Sequence, residues 1–322
     1  MKLSVCRIIP SILTAWLLSG CAFFVVSLSE QPQPLTETTI EGKGRDKILL
    51  VDISGMITDQ ESSSGLINPQ TEPSLVVQVK EALKKAEGDS RVKAVLLRIN
   101  SPGGTVTASD LIYHELIGFK ERTKRPVIAS ILDLGTSGAY YIAQAADRIF
   151  AHPTAVTGSI GVIMVQANVA GLLDKIGVKT TEIKSGDKKF MGSPFRPMAP
   201  EEQAIFQNVI TSMYQQFLTV VAKGRPALPQ RELLTAADGR IYTAQQAKEF
   251  GLIDEIGYLP EAITAAKTAA KLDEAKVVTY HRGNDDKSTI YSMGNMGKGG
   301  IEINLGALAA FASPRFMYLW SP

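Results

Sequence analysis

Residues 128–164, IASILDLGTSGAYYIAQAADRIFAHPTAVTGSIGVIM, decide the fold. Val127 to Leu132 is a β-branched, apolar run and reads as a buried strand. It ends at Asp133-Leu134-Gly135, and Thr136-Ser137-Gly138-Ala139-Tyr140-Tyr141 reads as the first turn of a helix ending near Ala146. Free backbone N–H groups and the positive end of the helix dipole converge at such a start. Ser137 there is either an ordinary N-cap or a nucleophile placed where negative charge is stabilised.

Upstream, Lys47 to Ile57 reads as a strand, residues 58–73 as an exposed loop and Ser74 to Ala86 as a helix. Val92 to Ile99 is a strand broken by Asn100-Ser101-Pro102-Gly103-Gly104, and Thr107 to Arg122 is helical. Regular alternation of strand and helix predicts an α/β architecture with a mostly parallel sheet. Sites in such folds lie at the C-terminal ends of strands. Two of those ends are glycine-rich here, 100–104 and 135–138. Pro102-Gly103-Gly104 is either a tight turn or a stretch of unshielded N–H groups able to hold an oxyanion.

The N-terminus has Lys2 and Arg7 ahead of an uncharged apolar run from Ile8 to Leu28. At ~1.5 Å per residue that run is long enough to cross the ~30 Å hydrocarbon core of a bilayer. Basic residues before it and none just after predict a cytoplasmic N-terminus and an extracytoplasmic body. Leu18-Ser19-Gly20-Cys21 resembles the lipobox of bacterial lipoproteins, which would make Cys21 a lipidation site. The apolar run continuing through Val26 favours an uncleaved helix instead. Either reading gives a membrane-held protein.

The formal net charge is +2, which Lys2 and Arg7 account for. No dense basic run supports nucleic-acid binding. Both cysteines, Cys6 and Cys21, lie in the apolar N-terminal segment, and the three histidines (His114, His152, His281) are scattered. No metal site is expected.

A serine nucleophile needs a base. Neither His114 nor His152 has an orienting acid at a known spacing, and position 139 is alanine, so Gly-x-Ser-x-Gly is absent. Lysine is the other option, and residues 181–194 hold Lys184, Lys188 and Lys189. A serine–lysine pair needs a neutral amine. Lowering a lysine by roughly three units from its reference pKa of ~10.4 costs about 4 kcal/mol, which burial can supply. Lys189 precedes Phe190-Met191, an apolar neighbourhood suited to that role.

Six ordered motifs carry a family resemblance: Arg98 to Gly104, Gly135 to Tyr141, Thr157 to Val162, Lys184 to Pro194, Gly239 to Thr243 and Gly251 to Gly257. Over roughly residues 47–275 the chain resembles the signal peptide peptidase A family of membrane-anchored serine–lysine proteases. That resemblance implies a Clp protease/crotonase-like fold. It implies Ser137 as nucleophile, Lys189 as general base and Ser159 as the serine that orients the lysine amine. Gly104 would form the oxyanion hole with Gly138 and Gly103. It further implies no cofactor, substrates that are remnant signal peptides with small side chains near the cut, and, in half-length members, an octamer whose sites form between protomers. The chain has no internal repeat and so resembles the half-length form.

The expected organisation is an anchor segment at 1–28, a polar linker at 29–46, a peptidase domain at 47–275 and a C-terminal extension at 276–322. The extension turns apolar from Leu305 to Pro322 and reads as packing on a neighbour or on the membrane surface. Two other readings share the fold: a crotonase-like acyl-CoA enzyme and a catalytically inactive membrane scaffold.

Overall fold

The computed structural model describes residues 34–64, 70–282, 289–292 and 315–320. The expected anchor and Cys21 lie outside them. Among the described residues no helix is long and apolar enough to cross a membrane.

The sheet is built on three parallel strands whose residues alternate between two apolar faces. These are β2 (Lys47–Ile57), β5 (Val92–Thr105) and β6 (Val127–Thr136). Leu49, Val51 and Ile53 of β2 join Val95, Leu97 and Ile99 of β5 in one core. Ile48 and Leu50 join Ala94 and Leu96 in the other. Both faces are apolar because both are covered, as parallel sheets require. One layer contains α1 (Leu75–Gly88), α2 (Val106–Thr123) and α3 (Gly138–Ala143). The other is closed by α8 (Leu259–Ala269) through Leu259, Ala262, Ile263 and Ala266. The oxygens of Ser74 and Thr105 cap α1 and α2 by accepting from Val77 and Ala108 N–H.

Beside β6 run β7 (Arg148–Ala151) and β8 (Val156–Gly158), both parallel to it. β10 (Ile241–Thr243) pairs antiparallel with β8, and β11 (Glu255–Ile256) parallel with β7. A small hairpin joins β3 (Ser62–Ser64) to β4 (Gln70–Glu72) within the expected loop. The mixed α/β architecture, with its large sheet and flanking helices, fits the Clp-protease-like class.

The folded body extends past the expected domain limits at both ends. β1 (Thr36–Gly42), within the expected linker, pairs antiparallel with β12 (Lys276–His281), which lies parallel to β2. Lys47, only 4% exposed, fastens this edge by binding Glu37 of β1 and Asp89. Fully buried Arg98 pairs with Asp52 and donates to the carbonyls of Ile290 and Ser292, tying the C-terminal extension to the sheet.

The tail differs most from expectation. β13 (Phe316–Leu319) does not await a neighbour or a membrane: it pairs antiparallel with β5 and with β9 (Ile163–Met164) of its own chain. Its apolar side chains have an internal berth, where Tyr318 is fully buried.

Candidate active site

Ser137 sits at the junction of β6 and α3 with φ 52° and ψ −114°. A non-glycine residue held there carries strain of roughly 1–3 kcal/mol, persisting only where the surroundings enforce it. They do so here. Ser137 N–H donates to the Gly158 carbonyl at 2.8 Å, and the Ser137 carbonyl accepts from Tyr141 N–H at 2.8 Å. Its side chain makes no capping hydrogen bond, so the N-cap reading of the hydroxyl does not hold. Ser137 is 1% exposed, and its Oγ has no hydrogen-bond partner among the described residues. A strand–turn–helix elbow thus forms without the Gly-x-Ser-x-Gly pattern.

The glycines meet beside it. β5 does not break at Asn100 but continues to Thr105, with Gly103 opposite Met56 and Gly104 opposite Ile57 on β2. A side chain at Gly104 would overlap the Ile57 backbone, and one at Gly138 would overlap Ser109 Oγ. The Cβ position of Gly103 lies 2.8 Å from Gly138 N, and that of Gly138 lies 3.2 Å from Gly104 N. Gly103, at φ 103°, needs the freedom only glycine has. Gly138 N–H opens a helix and has no intrahelical acceptor. The cluster can hold a developing negative charge.

Ser159 arrives through β8. Thr136 pairs with Gly158, so the residues following each, Ser137 and Ser159, leave the sheet side by side. Ser159 also has positive φ, 52°, and its N–H donates to the Arg240 carbonyl at 2.7 Å. The Gly239 to Thr243 motif therefore acts as a brace: Ile241 pairs with Gly158, and Tyr242 OH donates to Ala236 O at 2.9 Å. In the motif at 251–257, the Leu252 carbonyl accepts from Tyr140 OH at 2.7 Å, behind α3. Ile160 and Gly161, just after Ser159, line an open groove of about 320 Å³ with Tyr214 and Asp238.

Lys189 is not part of this convergence. It lies exposed on a 3-10 turn, Asp187–Phe190, and Ser137 Oγ has no partner within hydrogen-bond reach. Its neighbours are engaged: Lys188 pairs with Glu201, and Lys184 with Glu182 at 2.7 Å. The expected apolar surround of Lys189 is not present within one chain, because Phe190 and Met191 are themselves half-exposed.

Arg196, which sequence reasoning missed, anchors that turn. Its guanidinium donates to the Phe190 carbonyl at 3.3 Å, lies 5.8 Å from the Phe190 ring centroid and pairs with Glu202 at 2.5 Å. Glu202 belongs to α5 (Pro200–Gly224), where it also accepts from Ala199 N–H at 3.2 Å. The Arg196 guanidinium holds the Glu202 carboxyl below the usual carboxylate range. No motif marked Arg196. Its only signal was a charge in an otherwise apolar, proline-flanked stretch.

The aromatic wall was missed as well. Tyr141 lies edge-on to Tyr113 at 5.4 Å and to Phe217 at 5.1 Å, and its OH donates to Asp110 at 2.6 Å. Burial, with Asp110 alongside, pushes the Tyr141 phenol well up from its ordinary value. The doubled tyrosine at 140–141 was the available hint.

A strained serine beside convergent glycine amides, on a Clp-like α/β body, defines a serine-type peptidase. The chain belongs to peptidase family S49, the signal peptide peptidase A family. The model of that family matches residues 120–273. The chain is 39% identical over 248 residues to the Enterococcus faecium protein that bears the signal peptide peptidase SppA name, covering 76% of this chain and 70% of that one. It is 35% identical over 237 residues to the chloroplastic serine protease SPPA of Arabidopsis thaliana, covering 73% of this chain and 34% of that one. Against protease 4 of Haemophilus influenzae it is 35% identical over 227 residues, covering 69% and 34%.

Proposed function

We propose that the chain is a membrane-held serine endopeptidase that hydrolyses remnant signal peptides and other short apolar peptides with a Ser137–Lys189 pair. The observation that carries this reading is the strained, buried and unpartnered Ser137 beside the amides of Gly103, Gly104 and Gly138. Ser137 Oγ attacks the peptide carbonyl while the Lys189 amine takes its proton. The glycine amides hold the oxyanion, and Ser159 orients the lysine. The lysine passes the proton to the leaving amine, and water resolves the acyl-enzyme. The apolar run at 8–28 would hold the body outside the cytoplasm, with Cys21 as the lipid-bearing residue if that run is cleaved.

Lys189 is proposed to serve the Ser137 of another copy in a homo-oligomer, an octamer by family resemblance. The exposed apolar side chains around the lysine turn support this: Leu172 is 60% exposed, Ile176 63% and Ile183 98%. Such a face calls for a partner surface.

A serine-directed fluorophosphonate probe, paired with a casein cleavage assay, tests the reading. Wild type is expected to label and cleave, and Ser137→Ala to do neither, losing at least about 10⁴-fold in kcat/KM. A Ser137→Ala variant that cleaves as well as wild type overturns the assignment.

A further inference from the structure

Ser101 is a fully buried hydroxyl that the proposed mechanism does not use. It lies three residues before Gly104, where β5 leaves regular register. Between the pairs Ser54–Asn100 and Met56–Gly103, β2 places one residue, Gly55, against two of β5, Ser101 and Pro102. An extra residue on one strand is a bulge, and it bends the strand that carries it. Pro102 has no N–H to give the ladder, and Gly103 and Gly104 have no Cβ to limit their backbone. The stretch that must hold an oxyanion donor still is therefore the one its own residues constrain least.

Ser101 supplies the constraint. Its Oγ donates to the Gly55 carbonyl at 2.6 Å and accepts from Gly103 N–H at 3.1 Å. The single hydroxyl proton has another acceptor, the Gly103 carbonyl, only at 3.5 Å, so it belongs to Gly55. The two bonds run in series, from a β2 carbonyl through a serine hydroxyl to a glycine amide. The preceding residue ties the same loop to the other neighbouring strand. Asn100 Oδ1 accepts from Leu134 N–H at 3.1 Å, where the β5–β6 register also shifts, three residues before Ser137.

These bonds decide which amides can act. Gly103 N–H is directed at Ser101 Oγ, so it is not aimed at a reacting carbonyl. What Gly103 offers is its backbone, with φ 103° and a Cβ position only 2.8 Å from Gly138 N. The amide that follows, Gly104 N, lies 3.2 Å from the Cβ position of Gly138.

We propose that Ser101 is the positioning residue of the oxyanion hole. Its hydroxyl, held by the Gly55 carbonyl, fixes the Gly103 amide so that Gly104 N–H, with Gly138 N–H, faces the carbonyl oxygen that Ser137 attacks. This rests on the serine peptidase reading and divides the three glycines of that site into two donors and one bend. Ser101 acts through the peptide it holds. A donor aimed in advance by such a bond needs no reorganisation when charge develops. Loosening it leaves substrate bound and the oxyanion poorly held, so the loss falls on kcat rather than on KM.

The test compares Ser101→Ala with wild type in the full-length protein. The best-cut peptide of a wild-type casein digest is made as a fluorogenic amide, as an aldehyde and as an alcohol. Ser137 converts the aldehyde to a tetrahedral adduct, whereas the alcohol has no carbonyl to attack. Ser101→Ala is expected to lower kcat about 10²-fold with KM within about twofold of wild type. Affinity for the aldehyde should fall about 10²-fold while affinity for the alcohol holds within about twofold. Ser101→Cys is close in shape but a weaker donor and acceptor, and should show the same split at about tenfold. Wild-type kcat and aldehyde affinity in Ser101→Ala, or in Ser101→Cys should alanine not fold, make Ser101 a packing residue. The proposal then falls while the peptidase reading stands. Equal loss of aldehyde and alcohol affinity marks a general collapse of the groove and overturns it too. If wild type digests no casein, the proposal and the peptidase reading fall together.

Discussion

The two halves of the candidate site are built in opposite ways. Residues 128–160 are mostly buried, and the turn at Ser137 is braced by the β6–β8 pairing and by the Tyr140 hydroxyl behind α3. Residues 176–189 are exposed throughout, with an apolar side chain as prominent as Ile183 open to solvent. The first half holds its strained serine without help from another molecule. The second half carries Lys189, proposed above as the base, on a surface rich in exposed apolar side chains. The difference separates what the fold must enforce, a backbone conformation costing free energy, from what the proposed assembly would supply, the lysine.

Mixing two dead variants is the sharpest way to break this comparison. Ser137→Ala and Lys189→Ala should each fall to background. If the lysine crosses between copies, re-assembly of an equal mixture creates sites with one intact Ser137 and one intact Lys189. About a quarter of wild-type activity should then return. Lys188→Ala, which removes only the pair with Glu201, should retain activity. Recovery near zero from a mixture shown to co-assemble would place both groups in one chain and remove the contrast.

Gly138→Ala probes the buried half. The added methyl overlaps Ser109 Oγ and crowds the Tyr318 carbonyl site, so the oxyanion amides must shift. A loss of about 10²–10³-fold in kcat is expected, as for loss of one oxyanion donor. Overpacking should also lower stability by about 1–3 kcal/mol, measurable by urea unfolding. Wild-type kcat would mean that this amide does not face the reacting oxygen.

Much of this was legible in the chain because it depends on local pattern. The alternation of apolar runs with helical stripes announced the parallel sheet, and Gly135 to Tyr141 announced the elbow. The continuation of β5 through Pro102-Gly103-Gly104 was hidden, since those residues ordinarily end a strand. Here the strand survives through an irregularity at Gly55, whose carbonyl accepts from Ser101 Oγ at 2.6 Å. The glycines then let Ile57 approach. β1 was hidden for another reason. TETTIEG has almost no apolar signal, and it becomes a strand only because β12 arrives from more than 230 residues away to pair with it. β13 is the extreme case, short, terminal and defined wholly by the groove that receives it.

The smallest effect expected in the site concerns how far the exposed half is preorganised. Arg196 holds the Phe190 carbonyl, next to Lys189, and is itself held by Glu202. Arg196→Ala frees the turn without touching Ser137, so kcat should fall only about tenfold while fluorophosphonate labelling persists. The grip has a definite pH sense. The Glu202 carboxyl is held below its ordinary range by Arg196, so its contribution is complete above the unfolded value near pH ~4.3. It is lost as pH falls through the lower folded value. The wild-type turn should therefore resist limited proteolysis at neutral pH and become susceptible on acidification below about pH 4. Arg196→Ala should be susceptible at both. If the variant and wild type are cut alike at neutral pH, the turn is already free, and Lys189 is ordered only on the surface of its neighbour.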